Sequence, residues 1–523
     1  MKSSYLRLAF ALVALQMAAS LQAAATRPNI LLIYTDDHSY RTVSCYPEAH
    51  PWAKTPNIDR LAQRGVRFSH AYMGTWCMPA RATMLTGLQT YGVQTMRETT
   101  PYPASTYDPA QCRFWPAEFR KQGYQTAQIG KWHTGTDTGF GRDWDYQIVW
   151  NRPKHTENQG NYYYDQMLSF NGGEAKMTPG YSTDNYTKWA LEYIRGEHRD
   201  PNKPWYLWLC YGGVHSPFTP ADRHRNAYAG AKVETPKDIY PPRPGKPGYM
   251  QEMNTWQPGK DGQPTLRSTF KRAATKQEDA NDGKNPTLSE WVRQYNQAVL
   301  ALDEGVGQLM TALESSGQLA NTLVIFTADQ GFAWGQHGFR HKIAPYDSNI
   351  RAPLIISMPG RVAEGKVVTA PVGGADVVPT IFQFAGLKLP WAMHGHDLTP
   401  VLRDPSAAWP HVTLLPFTGG SFGADTDKIP TGDKIYHEGV KVAWYVLLTQ
   451  GQYKYIRTLI PGEIEQLYDL KADPEELTNL AYVSWHAATL KRFREATVQE
   501  LRRTKAGFAN AMPPVKGYLE NSR

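Results

Sequence analysis

Five stretches of the 523-residue sequence carry residue types that bind cations or hold anions. Four strand candidates end in polar groups: residues 29–34 lead into Asp36-Asp37, 125–129 into Lys131 and His133, 205–210 into His215, and 323–327 into Asp329-Gln330. Three carboxylates and an amide oxygen are hard donors that suit Ca2+ or Mg2+ rather than zinc or copper. Cationic side chains beside such a metal make an electropositive pocket for a tetrahedral oxyanion, either sulfate or phosphate. Taken singly, the aspartates could cap a turn, Lys131 could be a loop cation, and the two histidines could be structural. The fifth stretch is Cys77-Met78-Pro79-Ala80-Arg81, continuing to Thr86-Gly87. Pro79 fits a first helical turn, which sets Cys77 just before the helix. Free N–H groups there attract anions and lower a thiol pKa, so Cys77 reads as a reactive residue at an anion site.

These groups meet only if the four candidates are strands whose carboxyl ends lie together, as in an open α/β sheet. The surrounding pattern agrees. Thr55-Pro56 opens a helix that Gly65 stops. Residues 66–72 and 353–358 read as extended, and 114–121 as helical. From 288 to 315, Val292, Tyr295, Val299, Leu302, Val306, Leu309 and Leu313 recur at steps of three and four, which predicts a long amphipathic helix. Alternating strands and helices predict a large, mostly parallel central sheet with helices on both faces. Residues 26–410 form the main domain in this reading, with 220–285, rich in Pro, Gly, Lys and Asp, as a long rim insertion. Beyond it, 440–448, 453–458 and 466–470 read as strands of a small antiparallel sheet and 484–504 as a closing helix. They define a C-terminal subdomain over 411–523.

Hydrophobic residues are 41% and charged residues 20%, which excludes a disordered, collagen-like or coiled-coil chain. Lys2 and Arg7, the apolar run 8–15 and Ala23-Ala24-Ala25 read as a signal peptide over 1–25. That run is short for a bilayer span, and no later run is longer, so a secreted or periplasmic protein without an integral membrane segment is expected. The net charge of +8 favours anionic partners, while the lack of a Lys/Arg-rich run argues against nucleic acid. Cys45, Cys77, Cys112 and Cys210 fit no zinc spacing. Export makes two disulfides the default expectation, although Cys210, at the end of an apolar run, reads as a buried thiol.

Together these motifs resemble the type I sulfatases of the alkaline phosphatase-like superfamily. The family's first signature is Cys or Ser, any residue, Pro, a small residue and Arg, with Thr-Gly a few residues on. Here it stands as Cys77 to Arg81 with Leu85-Thr86-Gly87. The second is Gly130-Lys131-Trp132-His133-Thr134-Gly135. Arg27-Pro28-Asn29-Ile30-Leu31 with Asp36-Asp37, Thr327-Ala328-Asp329-Gln330-Gly331 and Arg351-Ala352-Pro353-Leu354 are similar as well. So are Leu467-Tyr468-Asp469-Leu470, Asp473-Pro474-Glu475 and Asn479-Leu480, which carry the resemblance to the C-terminal region. Two positions depart from the pattern. Gln330 stands where the family more often has Asn or His, and Ala80 where Ser is common; Gln330 still offers a carbonyl oxygen.

The resemblance implies an alkaline phosphatase-like α/β fold and an exported sulfatase. It implies Ca2+, with Mg2+ second, held by Asp36, Asp37, Asp329, Gln330 and position 77. It also implies that a formylglycine-generating maturation enzyme oxidises Cys77. One oxygen of the hydrated aldehyde would attack sulfur. Lys131 and Lys342 would bind sulfate oxygens, and Arg81 would hold the hydrate and its carboxylates. His215 would protonate the departing alcohol, and His133 would take the second hydroxyl's proton to expel sulfate. Export, positive charge and aromatic content point to a sulfated polysaccharide or oligosaccharide as substrate. His38, Trp76, Arg97, Arg142 and Trp334 are candidate contacts to it, with Tyr162-Tyr163-Tyr164 and Trp144 as a candidate sugar subsite. The alternatives are a small aryl sulfate, a phosphodiesterase or phosphonate monoester hydrolase on the same fold, and a catalytically silent glycan-binding relative.

Overall fold

The computed structural model describes residues 27–98, 105–152, 154–158, 160–259, 262–267, 286–437 and 439–516. The signal-peptide reading of residues 1–25 falls outside them, as does the side chain of Arg97.

An eleven-stranded sheet organises the main domain. Its centre is four adjacent parallel strands in the order Thr322–Ala328, Asn29–Thr35, Trp205–Cys210 and Gln125–Lys131. These are the four runs whose ends carry polar groups. Register brings those ends level: Tyr34 pairs with Thr327 on one side and Cys210 on the other, and Cys210 pairs with Gly130. Both faces of the centre are apolar, as a doubly covered sheet requires. Leu31, Ile33, Leu207, Leu209, Val324 and Phe326 line one face, under the helices Pro56–Gln63, Ser182–Arg195 and Leu288–Ser315. Ile30, Leu32, Tyr206, Trp208, Leu323 and Ile325 line the other, under Cys77–Thr86 and Gly374–Ala385.

The flanks are mixed. Arg351–Ser357 runs antiparallel to both of its neighbours, and Tyr164–Phe170 and Lys176–Tyr181 extend the opposite edge antiparallel. The long helix starts at Leu288 because Thr287 and Glu290 form a capping box: Glu290 N–H donates to Thr287 Oγ1 and Thr287 N–H to Glu290 Oε2 (2.7 Å). No helix among the described residues is long and apolar enough to cross a membrane.

Residues 413–469 form a four-stranded antiparallel sheet, Thr413–Phe417, Tyr445–Gln450, Tyr453–Thr458 and Glu465–Asp469. The helix Ala487–Arg503 buries Leu490, Phe493 and Leu501 against one face, and the other face packs on Tyr72, Phe339 and Tyr346 of the main domain. Two expectations shift here. The second strand starts at Tyr445 rather than 440, since Lys441 has φ 56° and the chain turns before it. The closing helix starts at Ala487, after a short turn of 3-10 helix.

A buried ion knot joins the two sheets. Lys454 Nζ donates to Glu476 Oε1 (2.7 Å) and to Asp347 Oδ1, while the Asp347 N–H donates to Glu476 Oε2 (2.6 Å). Burial, with Asp347 adding to it against Lys454, pushes the Glu476 carboxyl up to about 7. Lys454→Met removes the cation that the two buried carboxylates share, leaving Asp347 with Arg351 at 3.6 Å, and is expected to cost about 3–5 kcal/mol in chemical denaturation. Without Lys454 the Glu476 carboxyl binds its proton more tightly than it does beside the lysine, where it already stands at about 7. The variant therefore gains a proton at higher pH than the parent, and the deficit should shrink as pH falls toward about 7. A deficit that grows on acidification would refute this account.

Candidate active site

The level strand ends build the site. Asp36 and Asp37 follow Asn29–Thr35, Asp329 and Gln330 follow Thr322–Ala328, Lys131 ends Gln125–Lys131, and His215 follows Trp205–Cys210. The helix Cys77–Thr86 supplies Cys77 at its first position and Arg81 one turn on. Its sequence explains itself locally. Ala80 faces Gly74 so closely that a Cβ on Gly74 would lie 2.3 Å from the Ala80 Cβ, so both positions must be small. Gly87 ends the helix in the left-handed region (φ 70°), donating to Thr83 O (2.7 Å), while Thr86 Oγ1 donates to Ala82 O (2.7 Å).

Cys77 Sγ lies 3.4 Å from Asp36 Oδ1, 3.9 Å from Asp37 Oδ1 and 3.0 Å from Lys342 Nζ. Lys342 Nζ also donates to Asp37 Oδ1 (2.6 Å), and Lys131 Nζ donates to Asp36 Oδ2. Arg81, fully buried, donates to Asp36 Oδ2 (3.2 Å) and to Lys131 O (2.9 Å) and lies 3.5 Å from Asp329 Oδ2. It therefore ties three strand ends together. Asp329 Oδ1 accepts from the N–H groups of Asp37 (2.9 Å) and Gln330 (3.0 Å). Asp37 adopts φ 53° to turn its carboxylate into the cluster. His215 Nε2 lies 3.7 Å from Asp37 Oδ2. His133 is 3% exposed, two residues beyond Lys131, with φ 61°.

Charge is crowded here. Burial would raise the Asp36 carboxyl, but Lys131, His215, Arg81 and Lys342 hold it well below the usual range. Burial raises Asp37, and burial with the Asp36 charge pushes Asp329 up to about 7. Oxygens of Asp36, Asp37 and Asp329 and the Cys77 sulfur all lie within 4.8 Å of one another. Gln330 donates through Nε2 to Asp37 Oδ1 and its Oε1 is buried without a donor, so a flip of the amide sets that oxygen toward the carboxylates. Converging carboxylates and an unpartnered amide oxygen fit a hard divalent cation, which would relieve the repulsion that raises Asp329.

The thiol expectation is corrected. Burial and the Asp36 charge push the Cys77 thiol up rather than down. The disulfide expectation is corrected too: all four cysteines are free thiols. Cys77 lies in the site, and Cys210 closes the central strand beneath it.

Several candidate substrate contacts prove to be packing. His38 is fully buried, with Nδ1 3.0 Å from Thr35 Oγ1 and its ring edge-on to Phe326, and burial lowers its pKa to about 3. Trp334 sits in a cluster with Phe218, Trp291, Tyr295 and Phe332. Trp144 is fully buried against Trp132, Tyr206 and Trp208. Arg142 is held by Asp137 (2.8 Å) and Asp143 (2.8 Å). Trp76 stays beside the site, edge-on to His437.

Tyr162 has a role the sequence reading missed. Its ring stacks on His215 (centroids 3.9 Å, 6° apart) and lies under Lys131 Nζ (5.1 Å). Tyr163 Oη donates to His215 O (2.6 Å), and His215 Nδ1 bonds Ser216 O (2.7 Å). The Nδ1 bond makes that nitrogen the N–H, leaving Nε2 to face the cluster.

Comparison with known proteins agrees with this geometry. The family model described as Sulfatase matches residues 28–387. An N-acetylglucosamine-6-O-sulfatase of Bacteroides thetaiotaomicron is 31% identical over 498 residues, covering 87% of this chain and 82% of its own. An ulvan-active sulfatase of Formosa agariphila is 26% identical over 479 residues, covering 87% of this chain and 77% of its own. A solved structure of a protein in complex with its substrate D-glucosamine-2-N,6-O-disulfate superposes with a TM-score of 0.73 at 25% identity, covering 92% of this chain and 98% of that one. With the family matched over most of its length and its signature residues gathered around Cys77, the chain belongs to the type I sulfatases of the alkaline phosphatase-like superfamily, enzymes that hydrolyse sulfate esters.

Proposed function

We propose that the chain removes sulfate from a sulfated oligosaccharide or polysaccharide outside the cytoplasm, with a 6-O-sulfated amino sugar as the first candidate. The 31%-identical relative and the substrate-bound solved structure both carry names of sulfated glucosamines, which supports that choice. The basic start and apolar run of the first 25 residues support export.

In this reading Cys77 is oxidised by a maturation enzyme to formylglycine, and Asp36, Asp37, Asp329 and Gln330 hold Ca2+. The cation, when bound, supplies Lewis-acid polarisation at the reacting oxygen. The remaining work falls to the chain's own side chains. Lys131 and Lys342 flank position 77 and hold the ester's sulfate oxygens, each charge-assisted bond contributing about 1.5–3 kcal/mol. Arg81 fixes Asp36 from below, so the carboxylates need not reorganise as charge develops. His215 Nε2 carries the proton for the departing alcohol oxygen, and His133 serves as the base on the other side of the cycle. Tyr162 holds the His215 ring flat and keeps bulk water off that face.

The observation that carries the reading is Cys77 Sγ set between Lys342 Nζ (3.0 Å) and Asp36 Oδ1 (3.4 Å) in a buried, oxygen-rich cluster. The test is sulfate release by ion chromatography from matured protein. The substrates are 6-O-sulfated N-acetylglucosamine, an ulvan oligosaccharide, a small aryl sulfate and a phosphate diester. Release from a sulfated sugar is expected. Turnover of the aryl sulfate alone would overturn the carbohydrate assignment, and preference for the diester would favour the phosphodiesterase alternative.

A further inference from the structure

We propose that a cavity of about 580 Å3, lined by the residue that precedes Lys342, is a subsite for the sugar ring linked to the sulfated one, and that it selects an uncharged neighbour. The inference rests on the carbohydrate-sulfatase reading above and names what lies next to the scissile ester. The cavity lies between residues 248–255, the turn 339–341 and the C-terminal stretches 433–436, 439–441 and 460–463. Its volume falls in the range of about 300–1,000 Å3 that ligands of disaccharide size fill.

Two of its walls lead to position 77. His341 lines the cavity and precedes Lys342, whose Nζ is 3.0 Å from Cys77 Sγ. Tyr436 lines it from the other side and precedes His437, which meets Trp76, the residue before Cys77, with ring centroids 6.1 Å apart. A substrate with its sulfate between Lys131 and Lys342 would therefore direct its next ring here.

The lining suits a pyranose. Tyr249 and Tyr436 meet at 71° with centroids 6.1 Å apart, giving a corner of two half-buried aromatic faces. Tyr249 Oη is shielded from solvent yet has no hydrogen-bond partner, and a sugar hydroxyl would supply one. Apolar surface comes from Met253, Phe339, Val440 and Ile460. The charges lean acidic: Lys441 and Arg340, whose guanidinium stacks over Trp291 at 4.0 Å, share the lining with Glu252, Asp433 and Glu463. A uronate or second sulfate would meet more carboxylates than cations here, in contrast to the lysine-flanked sulfate site.

The wall is also built, not draped. Arg243, 1% exposed, donates to the carbonyls of Met250 and Met253 (2.8 Å each), and Lys246 Nζ donates to Tyr468 Oη (2.8 Å). Gly248 N–H donates to Glu463 Oε2 (3.0 Å), pinning the segment to the C-terminal subdomain.

The experiment compares kcat/KM for three compounds: 6-O-sulfated N-acetylglucosamine, the same ring linked to galactose, and the same ring linked to glucuronate. The parent protein is expected to prefer the galactose-linked compound over the monosaccharide by about tenfold or more, mainly through KM. Tyr249→Phe, which removes only the hydroxyl, and Tyr436→Ala, which opens the rim, should each lower that preference ratio several-fold. Equal handling of monosaccharide and galactose-linked compound, a ratio unmoved in both variants, or preference for the glucuronate-linked compound would overturn the subsite alone. Sulfate release from none of the three would instead overturn the reading beneath it.

Discussion

Cys77→Ala is expected to lower sulfate release by at least about 10⁴-fold while the chain keeps its fold. The two halves of that expectation come from different features of one position. Cys77 opens a helix whose ten residues are all buried, so a disruptive substitution there would be felt throughout the site. Yet the sulfur faces Asp36, Asp37 and Lys342 rather than the apolar core. Alanine removes one atom from that polar cluster and leaves Lys342 bonded to Asp37 and Arg81 bonded to Asp36. Stability should change by about 1 kcal/mol or less. Activity should collapse because no other described side chain offers a nucleophile at the focus of the lysines and carboxylates. Turnover of an aryl sulfate and the melting temperature, measured on the same preparation, check both halves. Retained turnover would assign the reactive group elsewhere; loss of melting cooperativity would show that position 77 is structural. Mass analysis of the Cys77 peptide from the native source adds an independent reading, since the aldehyde is lighter than the thiol. Intact thiol there, with no sulfate release, would favour the silent glycan-binding alternative.

Much of this site was legible before any coordinates because it sits at strand ends. Residues 30–34, 205–210 and 323–326 are apolar without interruption, and such runs become strands covered on both faces. Once they are parallel neighbours, the polar residues after them have one place to go. What failed was neighbourhood. His38 follows two metal-site candidates and reads as a substrate contact, but the chain turns at Asp37 (φ 53°), and His38 points down to Thr35 and Phe326. Trp334 follows Gln330 closely, yet its partners Phe218 and Trp291 come from other segments that no local pattern announces. Arg142 could have been set aside from sequence, since Asp137 and Asp143 flank it and take its guanidinium. The thiol misled for a physical reason: a helix start lowers a cysteine pKa only where the thiolate is solvated, and burial beside Asp36 outweighs the helix. The cavity walls come from four separate segments, and Tyr162 reaches His215 across 53 positions of sequence, so neither could be read in advance.

His215→Ala should divide substrates by their leaving groups. The ring is positioned by three contacts: Nδ1 to Ser216 O at 2.7 Å, the stacked Tyr162 ring at 3.9 Å, and Tyr163 Oη to its own carbonyl at 2.6 Å. These leave Nε2 as the nitrogen aimed at the cluster, 3.7 Å from Asp37 Oδ2. In the resting site burial, then Lys342 and Lys131, hold the imidazole well below its usual pKa. A sulfate ester bound to those two lysines brings a negative charge that offsets both, so the proton is favoured on Nε2 when a substrate is present. A sugar alkoxide leaves poorly unless that proton reaches it, whereas an activated aryl oxide leaves unaided. The variant is therefore expected to lose about 10²–10⁴-fold in kcat on a sulfated sugar and less than about tenfold on an activated aryl sulfate. Tyr162→Leu should move the same way but less, because it removes the support and not the acid; its signature is a larger loss on the sugar than on the aryl compound. The measurement is kcat against leaving-group pKa for a series of sulfate esters. The slope should steepen in His215→Ala, since nothing then neutralises the departing oxygen. Parallel lines for parent and variant would mean that His215 only shapes the pocket and that the proton comes from elsewhere.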